Sequence, residues 1–224
     1  MSKKIPLVLF LMVCILDLVG VYFEHNTIIF MAKPFLMITL IWYYIVNTKT
    51  VNKLFVAGLF FSFLGDVLLL GTGELYFILG LLFFLIAHVF YIIMVIKLLK
   101  NTKMTQVLLA SIPYLIIFTS LLTILYSGLG EMKIPVIVYA ITITVLGISS
   151  LSLYLQNKNK THLILVFGVL IFIISDSVLA LNMFYKEQSI YPLLIISTYV
   201  IAQYLICRFV LLNEIKNIKI NGDS

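Results

Sequence analysis

Residues 76–96 read YFILGLLFFLIAHVFYIIMVI, an uninterrupted apolar run without a formal charge, in which His88 is the one ionisable side chain outside the two tyrosines. A helix rises about 1.5 Å per residue, so about 20 such residues cover the roughly 30 Å of hydrocarbon in a bilayer. Working outward from this run, similar stretches recur at about 5–23, 31–46, 54–71, 105–126, 134–155, 162–183 and 191–212. The expected fold is therefore all-α, a polytopic membrane protein of eight transmembrane helices in one domain spanning residues 1–224. Composition agrees. The 224 residues are 63% hydrophobic and 11% charged, with a mean hydropathy of +1.19, whereas soluble domains carry about 25% charge. A soluble globular fold is excluded, and chemistry is expected from residues in or beside the bilayer.

Eight is an even number, which sets both termini on one side. On that side fall Lys3, Lys4, Lys49, Lys53, Lys97, Lys100, Lys103, Lys158, Lys160, Arg208, Lys216 and Lys219; only Lys33, Lys133 and Lys186 lie opposite. Cytoplasmic flanks are enriched in Lys and Arg, so both termini are expected in the cytoplasm, with a bacterial inner membrane as the location. The net charge of +6 is accordingly a topology signal met by anionic lipid headgroups, not a nucleic-acid footprint. The first run follows Lys3 and Lys4 as a signal peptide would. Asp17-Leu18-Val19-Gly20 offers no small-x-small cleavage site, so the run is read as a retained helix. Cys14 and Cys207 are expected in opposite leaflets as inert buried thiols. Pro34, Pro135 and Pro192 are expected in first turns, where a missing N–H costs nothing; Pro113 alone is expected inside a span. Residues 213–224 are expected as a polar, frayed tail.

A weak internal repeat is legible. Gly65-Asp66-Val67-Leu68 resembles Ser175-Asp176-Ser177-Val178, and Ile86-Ala87-His88 resembles Ile201-Ala202-Gln203, at offsets of 110 and 115 residues. Spans three and seven run the same way, so the duplication would be a parallel repeat of four plus four helices.

Inside the apolar runs stand Asp17, Asp66, His88, Asp176 and Gln203. An acid near mid-bilayer costs about 2.5 to 3.5 kcal/mol on insertion scales, and such groups mark functional sites by default. All three aspartates lie about 12 to 14 residues along outward-running helices, which brings them to one level in the outer half of the membrane. His88 and Gln203 are expected slightly deeper. Helical spacing then groups Gly80, Phe84, His88 and Tyr91 on one face, Gly168, Phe172 and Asp176 on another with Ser175 and Asn182 beside it, and Tyr199 with Gln203 on a third. Gly58, Ser62 and Gly65 form a small-residue stripe beside Asp66 that admits a close neighbour. Each residue also has a plainer reading. Asp17 can pair with Lys33, His88 can be a satisfied core histidine, and Tyr91, Tyr199 and Gln203 can be hydrogen-bond glue between helices. His25, His88 and His162 lie at different depths and cannot converge on a metal. No nucleophile elbow, phosphate loop or dinucleotide fingerprint is present.

Lys33-Pro34, Gly65-Asp66, Phe77, Gly80, Phe84, Ala87-His88, Tyr91, the run Gly168 to Phe172, Ser175-Asp176, Leu179, Asn182, Tyr199 and Ala202-Gln203 occur in an order and span assignment that resembles the YhhN family of membrane proteins, which includes lysoplasmalogenases. The resemblance runs from Lys33 to about Leu205 and does not reach Asp17 or the fifth and sixth spans. It implies hydrolysis of the vinyl ether bond of a lysophospholipid, giving a fatty aldehyde and a glycerophospho-alcohol, without a cofactor or metal. Asp66 and Asp176 are then the expected catalytic pair, with Lys33, His88, Tyr91, Ser175, Asn182, Tyr199 and Gln203 binding substrate or water. The chemistry needs one protonated acid, to deliver a proton to the β-carbon of the enol ether, and one anionic carboxylate beside the resulting oxocarbenium ion. Two carboxylates sharing one proton supply both, as the paired acids of glycosidases do. Which aspartate is the acid is left open. A proton-coupled transporter would also bury carboxylates near the midplane, and a non-enzymatic lipid-binding scaffold is a third class.

Overall fold

The computed structural model describes residues 4–222, with side chains to residue 214. Eight α-helices run in chain order among these residues: α1 Ile5–Tyr22, α2 Asn26–Asn47, α3 Lys53–Leu68, α4 Glu74–Ile96, α5 Met104–Leu125, α6 Lys133–Gln156, α7 Lys160–Phe184 and α8 Tyr191–Gly222. A single 3₁₀ turn, Gly130–Met132, precedes α6, and no strand occurs among the described residues. Seven of the helices are long and apolar enough to cross a membrane; α3, with 16 residues, is the exception.

Hydropathy located these helices well in their middles and less well at three ends. Helix α2 begins at Asn26, five residues before the expected start, because Asn26-Thr27 is polar yet helical and the turn from α1 takes only Phe23, Glu24 and His25. Glu24 makes that turn possible by adopting a left-handed φ of 53°, an unfavoured conformation for a residue with a side chain. Pro34 consequently lies inside α2 rather than in its first turn, where it removes one helical hydrogen bond. Helix α3 stops at Leu68, three residues short of the expected end, and Gly71 N–H closes the turn onto the Leu68 carbonyl at 2.9 Å. Helix α8 continues as helix to Gly222, where a frayed tail was expected. Its Glu214 carboxylate accepts hydrogen bonds from the backbone N–H groups of Lys49 and Thr50 at 2.7 and 2.6 Å, and from the Thr48 hydroxyl, tying α8 to the α2–α3 turn. The expectations for Lys3, Lys216 and Lys219 lie outside the described side chains.

Packing in the bundle is set by small residues and aromatic rings. Gly58 meets the ring of Tyr91, Gly65 that of Phe84, and Gly80 the side chain of Leu69, each so closely that a Cβ on the glycine would fall 2.2 to 2.7 Å from its neighbour. These contacts recede steadily along the two helices, as in an antiparallel pair touching along its length. Helix α7 lies likewise along α8, with Gly168 against Leu205 and Ile206. Cys14 and Cys207 are buried and free. Around this core, α1 and α5 turn broad apolar faces outward. Val8, Met12, Ile15, Leu109, Ile112 and Ile116 are each more than half exposed, a pattern expected of side chains in contact with lipid.

Candidate active site

Because α3 ends two residues after Asp66, the turn that follows leaves the end of the bundle open above that carboxylate. A cavity of about 700 Å³ occupies this opening, lined by Lys33, Asp66, Ser175, Asp176, Asn182 and Tyr199 together with apolar side chains from α4, α7 and α8. That volume falls within the roughly 300 to 1,000 Å³ of ligand pockets. Both aspartates expected from the sequence thus reach one space, Asp66 from α3 and Asp176 from α7.

Each carboxylate is held by a tyrosine. The Tyr199 hydroxyl donates to Asp66 Oδ2 at 2.7 Å, and the Tyr139 hydroxyl donates to Asp176 Oδ2 at 2.6 Å. Tyr139 belongs to α6 and went unnoticed in the sequence. It stands among Val, Ile and Ala in a helix that carries no charged residue beyond its first turn, and only its partner 37 positions on reveals its role. Ser175 lines the cavity but directs its hydroxyl to the Ile195 carbonyl at 2.9 Å, so it joins α7 to α8. Asn182 lies nearer the mouth, its side-chain oxygen accepting from the Gln188 N–H at 3.4 Å.

Three residues expected on the cavity wall belong instead to the packed layer beneath it. His88, Tyr91 and Gln203 are fully buried and absent from the lining, because the rings of Phe84, Phe172 and Tyr199 close over them in edge-to-face contacts 5.6 to 5.8 Å apart. In that layer the Tyr91 hydroxyl donates to Gln203 Oε1 at 2.9 Å and Gln203 Nε2 donates to Ser62 Oγ at 3.0 Å, joining α3, α4 and α8. His88 is wedged between Phe172 and Tyr139, with ring centroids 4.7 and 5.4 Å away. Neither of its ring nitrogens has a hydrogen-bond partner among the described residues.

Asp17 also departs from expectation. Its carboxylate is buried and neither oxygen has a hydrogen-bond partner among the described residues, so no close pair with Lys33 forms. Lys33 acts on both Asp17 and Asp66 at electrostatic range, from a position on the cavity wall. Among the described residues, His, Cys, Asp and Glu nowhere gather in the threes that could hold a metal ion.

The human protein lysoplasmalogenase TMEM86A is 32% identical over 160 residues, covering 69% of this chain and 63% of that protein. The chain thus spans less than two thirds of the length of the curated relative it matches. No solved structure matches it. The model of the YhhN family matches residues 28–210, a stretch that includes both tyrosine-bound aspartates, Lys33 and every helix lining the cavity except α1; this multi-pass integral membrane protein belongs to the YhhN family.

Proposed function

We propose that the chain hydrolyses the vinyl ether bond of a lysoplasmalogen-like lysophospholipid. The observation that carries this reading is the pair of intramembrane carboxylates, Asp66 and Asp176, lining one cavity and each bound by a tyrosine hydroxyl. That the human relative is a lysoplasmalogenase supports the same reaction. One aspartic acid protonates the β-carbon, the carbon–carbon π pair forming the new C–H bond and leaving an oxocarbenium ion. The other, as carboxylate, stabilises that cation and accepts a proton from the water that adds to it. The hemiacetal C–O bond then breaks as a proton passes to the leaving oxygen, releasing a fatty aldehyde and a glycerophospho-alcohol. General acid catalysis of this kind contributes about 10² to 10⁴ in rate. Lys33 attracts the lipid phosphate at the mouth, Ser175, Asn182 and Tyr199 frame the substrate, and His88, Tyr91 and Gln203 serve as the rigid floor.

For topology, the proposal is that α3 crosses with the other seven helices and that both termini are cytoplasmic. The contact of α3 along α4 from Phe55 to Leu69 supports a crossing, as does the lysine distribution. A four-plus-four duplication is supported by equivalent packing. Gly58 meets Tyr91 and, 110 and 115 residues further on, Gly168 meets Ile206.

The test is aldehyde release from a lysoplasmalogen by the purified protein. Aldehyde formed stoichiometrically with the glycerophospho-alcohol supports the enzyme. No aldehyde, with a proton-dependent solute flux in proteoliposomes, would favour the transporter instead.

A further inference from the structure

Asp176 lines a second space besides the main cavity. This groove lies between α5, α6 and α7, and apart from Asp176, Tyr139, Tyr114, Thr144 and Ser177 its walls are apolar. It is not an extension of the mouth. The two spaces share only Asp176 among their lining residues, and Phe77 and Met132 on the wall of the one pack in a small hydrophobic cluster with Leu125 and Val136 on the wall of the other. We infer that this groove is the subsite for the alkenyl chain of the substrate, with the reacting vinyl ether at Asp176, where the groove meets the headgroup cavity. The inference rests on the proposed hydrolysis of a lysophospholipid and adds to it where the chain lies.

Three observations carry it. The first is polarity. Among largely apolar walls the main cavity carries Lys33, Glu74 and Glu131 with the two aspartates, which suits a charged headgroup, whereas beyond Asp176 the groove has no further charged side chain and offers Ile117, Leu121, Ile143 and Ile173, which suits a hydrocarbon. The second is direction and length. From Leu125 to Tyr114 the α5 wall extends about 16 Å at 1.5 Å per residue, running away from the end of the bundle where the cavity opens, as the tail of a membrane lipid runs inward from its headgroup. Tyr114 closes the far end, its ring packed onto Gly147. The third is access. Ile117, Phe118 and Leu121 on the rim are only partly buried, and α5 is the helix the protein covers least, with 11% of its apolar stretch buried. The groove measures only about 60 Å³, room for the first few carbon atoms of a chain. The rest of a chain therefore lies along the open side between α5 and its neighbours, and the aldehyde can leave by the same side into lipid.

The groove is tested with Ala140→Phe and Ala180→Phe, which fill it from α6 and α7. Wild type and both variants are assayed on lysoplasmalogens that differ only in carrying a long or a short alkenyl chain. The expected result is a kcat/KM for the long chain that falls at least about tenfold relative to the short chain, since crowding a pocket by a few carbons discriminates about 10- to 200-fold. The short-chain reaction also reports that each variant is folded. Losses of equal size for both chains, or no loss for either, would overturn the groove while leaving the hydrolase reading in place. Failure of wild type to release aldehyde from either substrate would overturn the hydrolase reading, and the groove with it.

Discussion

At the scale of single residues, the site depends on how two carboxylates, Asp66 buried and Asp176 half-buried, are kept oriented. Each aspartate has one oxygen bound by a tyrosine hydroxyl, which leaves the other oxygen for substrate or water. A hydrogen bond to a charged group is worth about 1.5 to 3 kcal/mol. Tyr139→Phe and Tyr199→Phe should therefore each lower kcat by about tenfold or more without unfolding the protein, as steady-state kinetics on purified variants would register. Unchanged kcat in both would remove the tyrosines from the account. The role proposed for Lys33 comes earlier, in binding. Its side chain is long enough to bring the ammonium to the headgroup level, so Lys33→Met should raise KM several-fold with little change in kcat. An unchanged KM would argue against a phosphate partner and leave Lys33 as the distant counter-charge of Asp17 and Asp66.

At the scale of elements, the shortest helix is the informative one. By stopping at Leu68, α3 exposes Asp66 to the cavity while its glycine face stays pressed against α4. Gly58 is the tightest point. A methyl there would meet the Tyr91 ring at 2.2 Å, and that ring cannot yield without breaking its bond to Gln203 and, through it, the bond to Ser62. Gly58→Ala should then cost about 1 to 3 kcal/mol, read as a lower Tm in detergent; an unaltered Tm would show that Tyr91 is free to move. Much of this was legible in the sequence. The insertion cost of Asp66 and Asp176, their common depth and the small residues beside Asp66 all pointed to one site. Other features were not legible. Spacing correctly grouped Gly80, Phe84, His88 and Tyr91 on one face, yet position along a helix does not say which neighbour closes over it, and Phe84 and Phe172 seal His88 away from the cavity. Tyr139 carries no local signal, because its meaning lies in a contact with another helix. Hydropathy also marks where apolar character ends rather than where the helix ends, which is why the start of α2 and the stop of α3 were misjudged.

At the scale of the whole molecule, the bundle reads as a device for holding two acids in lipid next to a wet mouth and an oily groove. No separate soluble unit is needed for such chemistry if the substrate is the proposed membrane lipid, whose headgroup and chain already differ in polarity along the same axis. The central claim is that Asp66 and Asp176 together perform the proton chemistry. Its most direct test is the rate of aldehyde release by Asp66→Asn and Asp176→Asn, with folding of each variant checked by its melting profile. Asparagine keeps the shape and inserts more cheaply, but it neither delivers a proton at neutral pH nor faces a cation with a full negative charge. Each variant should remain folded and lose a factor of about 10² or more. A folded variant of either kind retaining more than about a tenth of the wild-type rate, a loss smaller than general acid catalysis allows, would contradict the paired-carboxylate mechanism.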